Sequence, residues 1–343
     1  PRNSIMIAAM KNPSRLRALI TGVAGFGGTH LAERLLADGD LEVWGTHHHA
    51  RLPDLPTLKG LQPVACDVCD PQIVRGLLGD IRPNWIFHLA GQSDVGGSWD
   101  SAWRTIESNV RGQLNLLEAM VQLELDARIL VVGSNNEYGA VSPTDLPIDE
   151  ETPLRPDTPY GVSKVAQDLL GLQFFLSHRV RAVRVRCFNY IGPRQNANFV
   201  TAAFAKQIAE IEAGLREPLL RVGNLTAERD FTDVRDMARA YRLALEHGAD
   251  GEVYNIGSGR SVAIQRLLDI LLREARCAIR VAPDPLRLRP SDVPRSLCDA
   301  TKFRAATGWQ PRIPIEQSLR DILNYWRERV ASDANVTTAG LVL

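Results

Sequence analysis

Three side chains of this 343-residue chain could move a proton and a hydride in concert: Ser134, Tyr160 and Lys164. Tyr160 and Lys164 stand four residues apart and therefore share one helix face. An ammonium beside a phenol favours phenolate, so Lys164 is expected to lower the Tyr160 pKa towards working pH. Ser134 closes an apolar run and can donate to a substrate oxygen. In the reductive direction a hydride reaches a carbonyl carbon while Tyr160 supplies the proton. A Tyr-x-x-x-Lys pair alone is commonplace; the preceding Ser and an upstream glycine-rich turn give it chemical meaning.

That turn is Thr21-Gly22-Val23-Ala24-Gly25-Phe26-Gly27-Gly28, set between a predicted strand and a predicted helix. Glycine permits positive φ and close backbone approach to a pyrophosphate, whose charge the helix N-terminus stabilises. Gly22, Ala24, Gly25, Phe26, Gly27 and Gly28 are accordingly candidate dinucleotide contacts. The next strand runs into Thr46-His47-His48-His49-Ala50-Arg51 without the acid that usually holds a ribose 2′-hydroxyl. Thr46, His47, His48 and Arg51 could instead bond a 2′-phosphate, which favours NADP(H) and leaves NAD(H) open. Asp67 and Val68 are placed for an adenine ring, with the carboxylate accepting from the amino group. Leu89, Ala90 and Gly91 let a cofactor lie close to backbone, and Asn109, a polar position in a helical stretch that faces the sheet, is a further candidate cofactor contact, as are Tyr160 and Lys164, whose ammonium can hydrogen-bond the nicotinamide ribose. Consecutive histidines on an extended chain point to opposite sides, so no metal site is expected.

The elements that must position these residues alternate. Strands are predicted over 17–21, 42–46, 63–66, 85–90, 128–133 and 180–188, and helices over 27–38, 102–123 and 160–178. Such alternation implies an α/β fold, a Rossmann-type doubly wound parallel sheet with right-handed connections. After Gly192-Pro193 the pattern loosens into helices 199–213, 233–246 and 264–276 and strands 219–222 and 253–255, a smaller interleaved α/β region. The expected organisation is a loose leader 1–15, an NAD(P)-binding domain 16–192, a mainly substrate-binding region 193–330 and a loose tail 331–343.

Lys and Arg balance Asp and Glu at 40 each, so no global field favours nucleic acid or anionic membrane. A substrate anion must be held by a local cluster. No apolar run approaches the roughly 18 residues that span a bilayer. Five cysteines at irregular spacing suit reduced thiols in the cytoplasm. Cys66-x-x-Cys69 lacks a second pair or suitably spaced His and reads as buried thiols.

Longer motifs add to this: His88-Leu89-Ala90-Gly91-Gln92-Ser93, Phe188-Asn189-Tyr190-Ile191-Gly192-Pro193, Phe199-Val200-Thr201, Val222-Gly223-Asn224-Leu225, Arg229-Asp230-Phe231-Thr232-Asp233-Val234, Tyr254-Asn255 and Arg289-Pro290-Ser291-Asp292-Val293-Pro294. With Ser134, Tyr160 and Lys164 they make the chain, over 17–326, resemble the extended short-chain dehydrogenases/reductases. Among these it is similar to the nucleotide-sugar enzymes acting on GDP-mannose derivatives. The resemblance implies NAD(P)H-dependent reduction of the 4-keto group of a GDP-4-keto-6-deoxyhexose, yielding a GDP-6-deoxyhexose of the GDP-D-rhamnose type. It implies that Ser93, Asn189, Asn198, Phe199, Val200 and Lys206 line the substrate groove, and that Val222, Gly223, Asn224, Arg229, Arg289 and Asp292 hold the nucleotide. Arg229 and Arg289 suit bidentate phosphate contact, and Asp292 could accept from ribose hydroxyls. It further implies a homodimer built from helices 102–123 and 160–178 of each subunit.

Sugar 4,6-dehydratases carry Thr, then Asp or Ser, then Glu at the positions of Ser134, Asn135 and Asn136, and the Glu removes the C5 proton. Asparagine cannot take up that proton at neutral pH, though Asn135 and Asn136 could bond sugar hydroxyls. Glu137 is displaced by one residue, which on an extended segment turns it elsewhere. Reduction without elimination is therefore expected. A dehydratase or epimerase with recycled cofactor, and a non-catalytic nucleotide-sensing protein on a reductase fold, stand as alternatives.

Overall fold

The computed structural model describes residues 15–48, 58–287 and 293–339. The first half runs β1 (Leu16–Thr21), α1 (Phe26–Asp38), β2 (Leu41–His47), β3 (Leu61–Ala65), α2 (Pro71–Ile81), β4 (Trp85–His88), α3 (Gly97–Asp100), α4 (Ala102–Ile106), α5 (Gly112–Gln122), β5 (Arg128–Ser134), α6 (Pro159–His178) and β6 (Arg181–Cys187). The second half runs β7 (Asn189–Ile191), α7 (Val200–Glu212), β8 (Leu219–Val222), β9 (Glu228–Asp233), α8 (Val234–His247), β10 (Val253–Ile256), β11 (Ser261–Ala263), α9 (Ile264–Arg273), β12 (Arg280–Pro283), α10 (Thr301–Thr307) and α11 (Ile315–Ala339).

Seven parallel strands form the main sheet in the order β10-β6-β5-β4-β1-β2-β3. Its central strands are nearly all apolar because helices cover both faces. On one face Leu31 and Leu35 of α1 and Met237 and Tyr241 of α8 pack with Ile20 and Val183. On the other, Val74 and Leu78 of α2, Leu117 and Met120 of α5, and Phe174 of α6 pack with Leu19 and Ile129. The strand order reverses between β1 and β4, which opens a crevice at their carboxyl ends.

The predicted doubly wound sheet is therefore present, and the chain does re-enter it. After Ile191 it leaves for a three-stranded sheet, β11-β9-β7, and a β12-β8 pair, then returns as the edge strand β10. A third apolar core joins α7, α9 and α11 through Phe204, Leu267 and Leu323.

Several expected elements differ. The helix predicted over 102–123 is α4, a π-helical turn at Glu107–Arg111, and α5. The fourth strand stops at His88, leaving Leu89, Ala90 and Gly91 in the following loop. Residues 331–339, expected to be loose, continue α11, a helix already anchored by Leu319, Ile322 and Leu323. Helix α2 was not predicted, although Asp70 caps it by accepting from the amides of Gln72 and Ile73 and Pro71 opens it. The leader up to residue 14 and residues 340–343 lie outside the described residues.

One buried ionic clasp ties α6 to the sheet. Asp168 accepts from Arg184 Nη1 at 2.8 Å through Oδ1, and from Arg186 Nε and Nη2 at 3.0 and 2.6 Å through Oδ2. All three residues are buried. Removing one partner of a buried ion pair leaves an uncompensated charge, at a cost of about 3–5 kcal/mol. Asp168→Ala, which strands two guanidinium groups, should lower the unfolding free energy by that amount, read as a lower urea midpoint at an unchanged denaturant slope.

Candidate active site

The crevice is built from glycines. Gly22 has φ 71°, and a Cβ there would lie 2.9 Å from the backbone of Ala90, so the loop after β1 presses against the loop after β4. A Cβ on Gly28 would collide with the Gly22 carbonyl, which keeps the turn tight. Helix α1 starts at Gly25 with no side-chain cap and no acid in its first turn. Its first amides are thus left for an anion, and its dipole favours one. Phe26 stacks on Tyr190, centroids 5.6 Å apart and planes within 10°.

The residues expected at the cofactor's far end divide. Thr46 is 1% exposed, and its hydroxyl accepts from the Gly22 amide at 3.2 Å, so it braces the glycine loop and does not face a 2′-phosphate. His48 is exposed with Nε2 3.4 Å from Asp67 Oδ2, and His47 ends β2. Asp67 also accepts from the Cys69 amide at 2.9 Å. Val68 offers its carbonyl to Asn115. Arg51 and His49 lie outside the described residues. Cys66 is buried, and Cys69 directs its thiol at the Ser108 carbonyl; all five cysteines are free. Among the described residues no His, Cys, Asp or Glu cluster could hold a metal.

Asn109 has a role the sequence did not suggest. It lies fully buried in the π-helical turn, a deviation common at functional sites. Its Oδ1 accepts from the Gln92 amide at 2.7 Å, while its Nδ2 donates to the Gln92 carbonyl at 3.1 Å and to Ser163 Oγ at 2.9 Å. With its amide so engaged it is a brace between the β4 loop and α6, not a direct contact for a ligand. Ser163 in turn donates to the Tyr160 carbonyl.

Helix α6 brings the candidate catalytic side chains together. Thr158 accepts from the Gly161 amide as N-cap and Pro159 follows, so Tyr160 sits in the first turn. The Tyr160 side chain hydrogen-bonds Ser134, and Asn136 Nδ2 donates to Ser134 Oγ at 3.0 Å. Lys164 Nζ lies 5.8 Å from the Tyr160 ring centre and donates to the Val132 carbonyl at 3.0 Å and Gln167 Oε1 at 2.8 Å. The expected lowering of the Tyr160 pKa is not found. Burial holds the phenol well above its ordinary value, Tyr190 adds to this, and the Ser134 bond opposes it. Burial also pushes the Lys164 ammonium down to about 8. Desolvation of both groups outweighs their mutual effect.

Glu137 is turned away, but not because the segment is extended. Residues Asn135–Glu137 form a 3-10 turn in which Glu137 Oε1 accepts from the Ser134 amide at 2.7 Å and Oε2 lies 3.3 Å from Arg186 Nε. Fully buried, its carboxyl is raised above its ordinary range, by burial first and by Asp168, against the pull of Arg186.

A model of the GDP-mannose 4,6 dehydratase family matches residues 19–322. The chain belongs to this family. It is 36% identical over 317 residues to a GDP-6-deoxy-D-mannose reductase of Pseudomonas aeruginosa, a match covering 92% of this chain and 99% of that protein. Among solved structures it resembles RMD from Pseudomonas aeruginosa complexed with NADPH, at 34% identity and TM-score 0.78 over 92% of this chain and 99% of that one. It also resembles a Thermus thermophilus UDP-glucose 4-epimerase complexed with NAD, at 30% identity and TM-score 0.80 over 91% and 99% of the two chains.

In this family member the residues expected around a nucleotide sugar are spread more widely. Ser93 is exposed in the β4 loop. Asn135 donates to Ser296 at 3.3 Å, and Asn198 to Asp94 at 3.2 Å. Asn189 pairs with Phe231 between β7 and β9, Phe199 caps α7, and Val200 opens it. Lys206 lies 5.6 Å over the Trp326 ring and 3.7 Å from Glu210, so it is directed at α11 and its own helix rather than at the reactive residues. Val222 is buried, and Gly223 packs on the Arg287 backbone. Asn224 accepts from the amide and hydroxyl of Thr226, and Arg229 donates to the Glu228 carbonyl. Arg289 and Asp292 lie outside the described residues. Tyr190, Ser163 and Gln167 were not singled out from sequence; each stands inside or just after a motif, but only the fold aims it at the site.

Asn109→Ala would orphan both backbone groups of Gln92 and lose the Ser163 contact. At about 1 kcal/mol per hydrogen bond the loss is on the order of 3 kcal/mol. Urea unfolding should register it, together with weakened NADPH binding as the β4 loop relaxes.

Proposed function

We propose that the protein reduces the 4-keto group of a GDP-4-keto-6-deoxyhexose to a GDP-6-deoxyhexose of the GDP-D-rhamnose type, using NADPH in preference to NADH. The observation that carries this over a dehydratase is the turn after β5. Asparagines occupy positions 135 and 136, and the carboxylate of Glu137 is drawn under the strand by the Ser134 amide and Arg186. No base stands there to remove a C5 proton, whereas reduction requires none.

The residues present fit a dinucleotide. The Gly22 cradle would be filled by any Cβ, and the uncapped start of α1 leaves amides for a pyrophosphate. Gly22, Ala24, Gly25, Phe26, Gly27 and Gly28 would hold it, with Leu89, Ala90 and Gly91 opposite and Asp67 and Val68 at the adenine. His47 and His48, in place of an acid, favour a 2′-phosphate; the similarity to a protein complexed with NADPH supports the same choice. Bound NADPH supplies the hydride. Ser134 holds the carbonyl oxygen, and Tyr160, whose high pKa keeps it protonated at neutral pH, donates its proton to that oxygen as the C–O π pair moves onto it. Solvent then restores the phenol. Lys164 would hold the cofactor through its ammonium. A reductase needs the phenol as an acid, so burial of Tyr160 serves this direction of reaction.

A second copy of the chain is the proposed partner. Val162, Leu169 and Leu176 of α6 are spaced by seven and are 46%, 50% and 60% exposed, beside Trp103 of α4 at 72%. An apolar stripe of this kind fits a four-helix dimer interface. Free cysteines throughout suit the cytoplasm. Among the described residues no helix is long and apolar enough to cross a membrane.

With GDP-4-keto-6-deoxymannose, the protein should oxidise NADPH steadily and give one reduced sugar by NMR. Tyr160→Phe should lower turnover by about 10²–10⁴-fold while keeping NADPH affinity; unchanged turnover would refute the assignment. Leu169→Arg should convert a dimer to monomer by light scattering, without loss of helix content.

A further inference from the structure

A lysine ammonium has three N–H donors and no acceptor. In Lys164 two are engaged by the protein, at the Val132 carbonyl and Gln167 Oε1. One is left. What fixes the Gln167 amide is a chain of buried groups that runs away from the site. Because Lys164 only donates, Gln167 must present its carbonyl oxygen, which turns its NH2 towards His88 Nε2 at 3.4 Å. That nitrogen must then offer a lone pair, and the ring proton is placed on Nδ1, 2.8 Å from Thr21 Oγ1. Thr21 Oγ1 also accepts the Ala90 amide at 3.1 Å. The backbone carbonyl of Gln167 accepts from Gln113 Nε2 at 2.6 Å, which fixes the main chain at this position.

Each member of this chain is buried: Gln167 is 1% exposed, His88 2% and Thr21 0%. Burial, with the Lys164 charge adding to it, holds the His88 imidazole down to about 3, so the ring is neutral at any working pH. A charged ring would set two donors against each other at Gln167.

We propose that Gln167, anchored on a neutral His88, is a positioning residue that orients the Lys164 ammonium and reserves its one remaining N–H for a hydroxyl of the bound dinucleotide. The proposal rests on the assignment of Lys164 to the reductase machinery. Around the lysine stand Glu137 from the turn after β5, Cys187 from β6, His88 from β4 and Tyr160 from its own helix. Glu137 and Cys187 can bear an opposing charge once deprotonated; burial raises the carboxyl to about 8 and the thiol to about 12, and Arg186 competes for Glu137. The direct acceptors, Val132 and Gln167, are neutral, and with them burial leaves the ammonium titrating near 8. On losing its proton the amine keeps two N–H groups, both engaged by the protein, and has none for a ligand.

The test is the dissociation constant for NADPH, measured by fluorescence on either side of about pH 8. In the unaltered protein affinity should weaken as pH rises through that value. Gln167→Glu, nearly the same size, places a carboxylate on the ammonium and should move the midpoint up by about one unit or more. Gln167→Met removes the acceptor and should move it down. Circular dichroism confirms the fold, and if Gln167→Met does not fold, Gln167→Glu alone decides. An unmoved midpoint in a folded Gln167→Glu overturns the proposal. Lys164→Met separates the two levels: if it leaves turnover intact, the catalytic assignment itself fails. If it abolishes turnover while Gln167→Glu leaves the midpoint in place, only the role of Gln167 falls.

Discussion

Two guanidinium groups of one strand share one carboxylate of one helix, and the placement of Ser134, Tyr160 and Lys164 depends on that clasp. Arg184 and Arg186 are two apart on β6, so both point to the same face of the sheet, where Asp168 of α6 meets them. Arg186 reaches further, to the Tyr138 hydroxyl and to Glu137 in the turn after β5. The Glu137 carboxyl is thereby held inside, and α6 is seated so that Tyr160 meets Ser134. Gly133 contributes by its lack of a side chain, since a Cβ there would collide with the Glu137 carboxylate.

Burial decides the electrostatics above the clasp. Desolvation raises the Tyr160 phenol and lowers the Lys164 ammonium, because removal from water disfavours the charged form of each. The expected help from lysine to phenolate rests on the pair's charges alone and leaves out the cost of burying them. In the folded chain that ammonium is bound to neutral acceptors and faces a buried imidazole. The balance suits a proton donor.

The crevice itself follows from topology. A parallel sheet whose order reverses between β1 and β4 opens a crevice at their carboxyl ends; the glycine at 22 lets the loop after β1 press on the loop after β4, and the glycine at 28 keeps the first turn tight. The return of the chain into β10 locks the smaller region to the sheet. Tyr190 on β7, just past the end of β6, stacks on Phe26 of the glycine loop.

Much of this was legible in order. The glycine turn, the strand–helix alternation, the Tyr160 and Lys164 spacing and the long motifs are local, and periodicity or spacing is enough to read them. The asparagines at 135 and 136 already argued against elimination. What sequence could not supply were contacts across tens of residues: Thr46 bracing Gly22, Asn109 bracing Gln92, Gln167 holding Lys164, and Lys206 facing Trp326. Whether a polar side chain meets a ligand or a backbone amide depends on which neighbour the fold brings within about 3 Å, and whether a charge survives depends on how far it is buried. Neither quantity is written along the chain. The sequence by itself determined which chemistry was on hand; the tertiary structure decided which groups remain free to perform it.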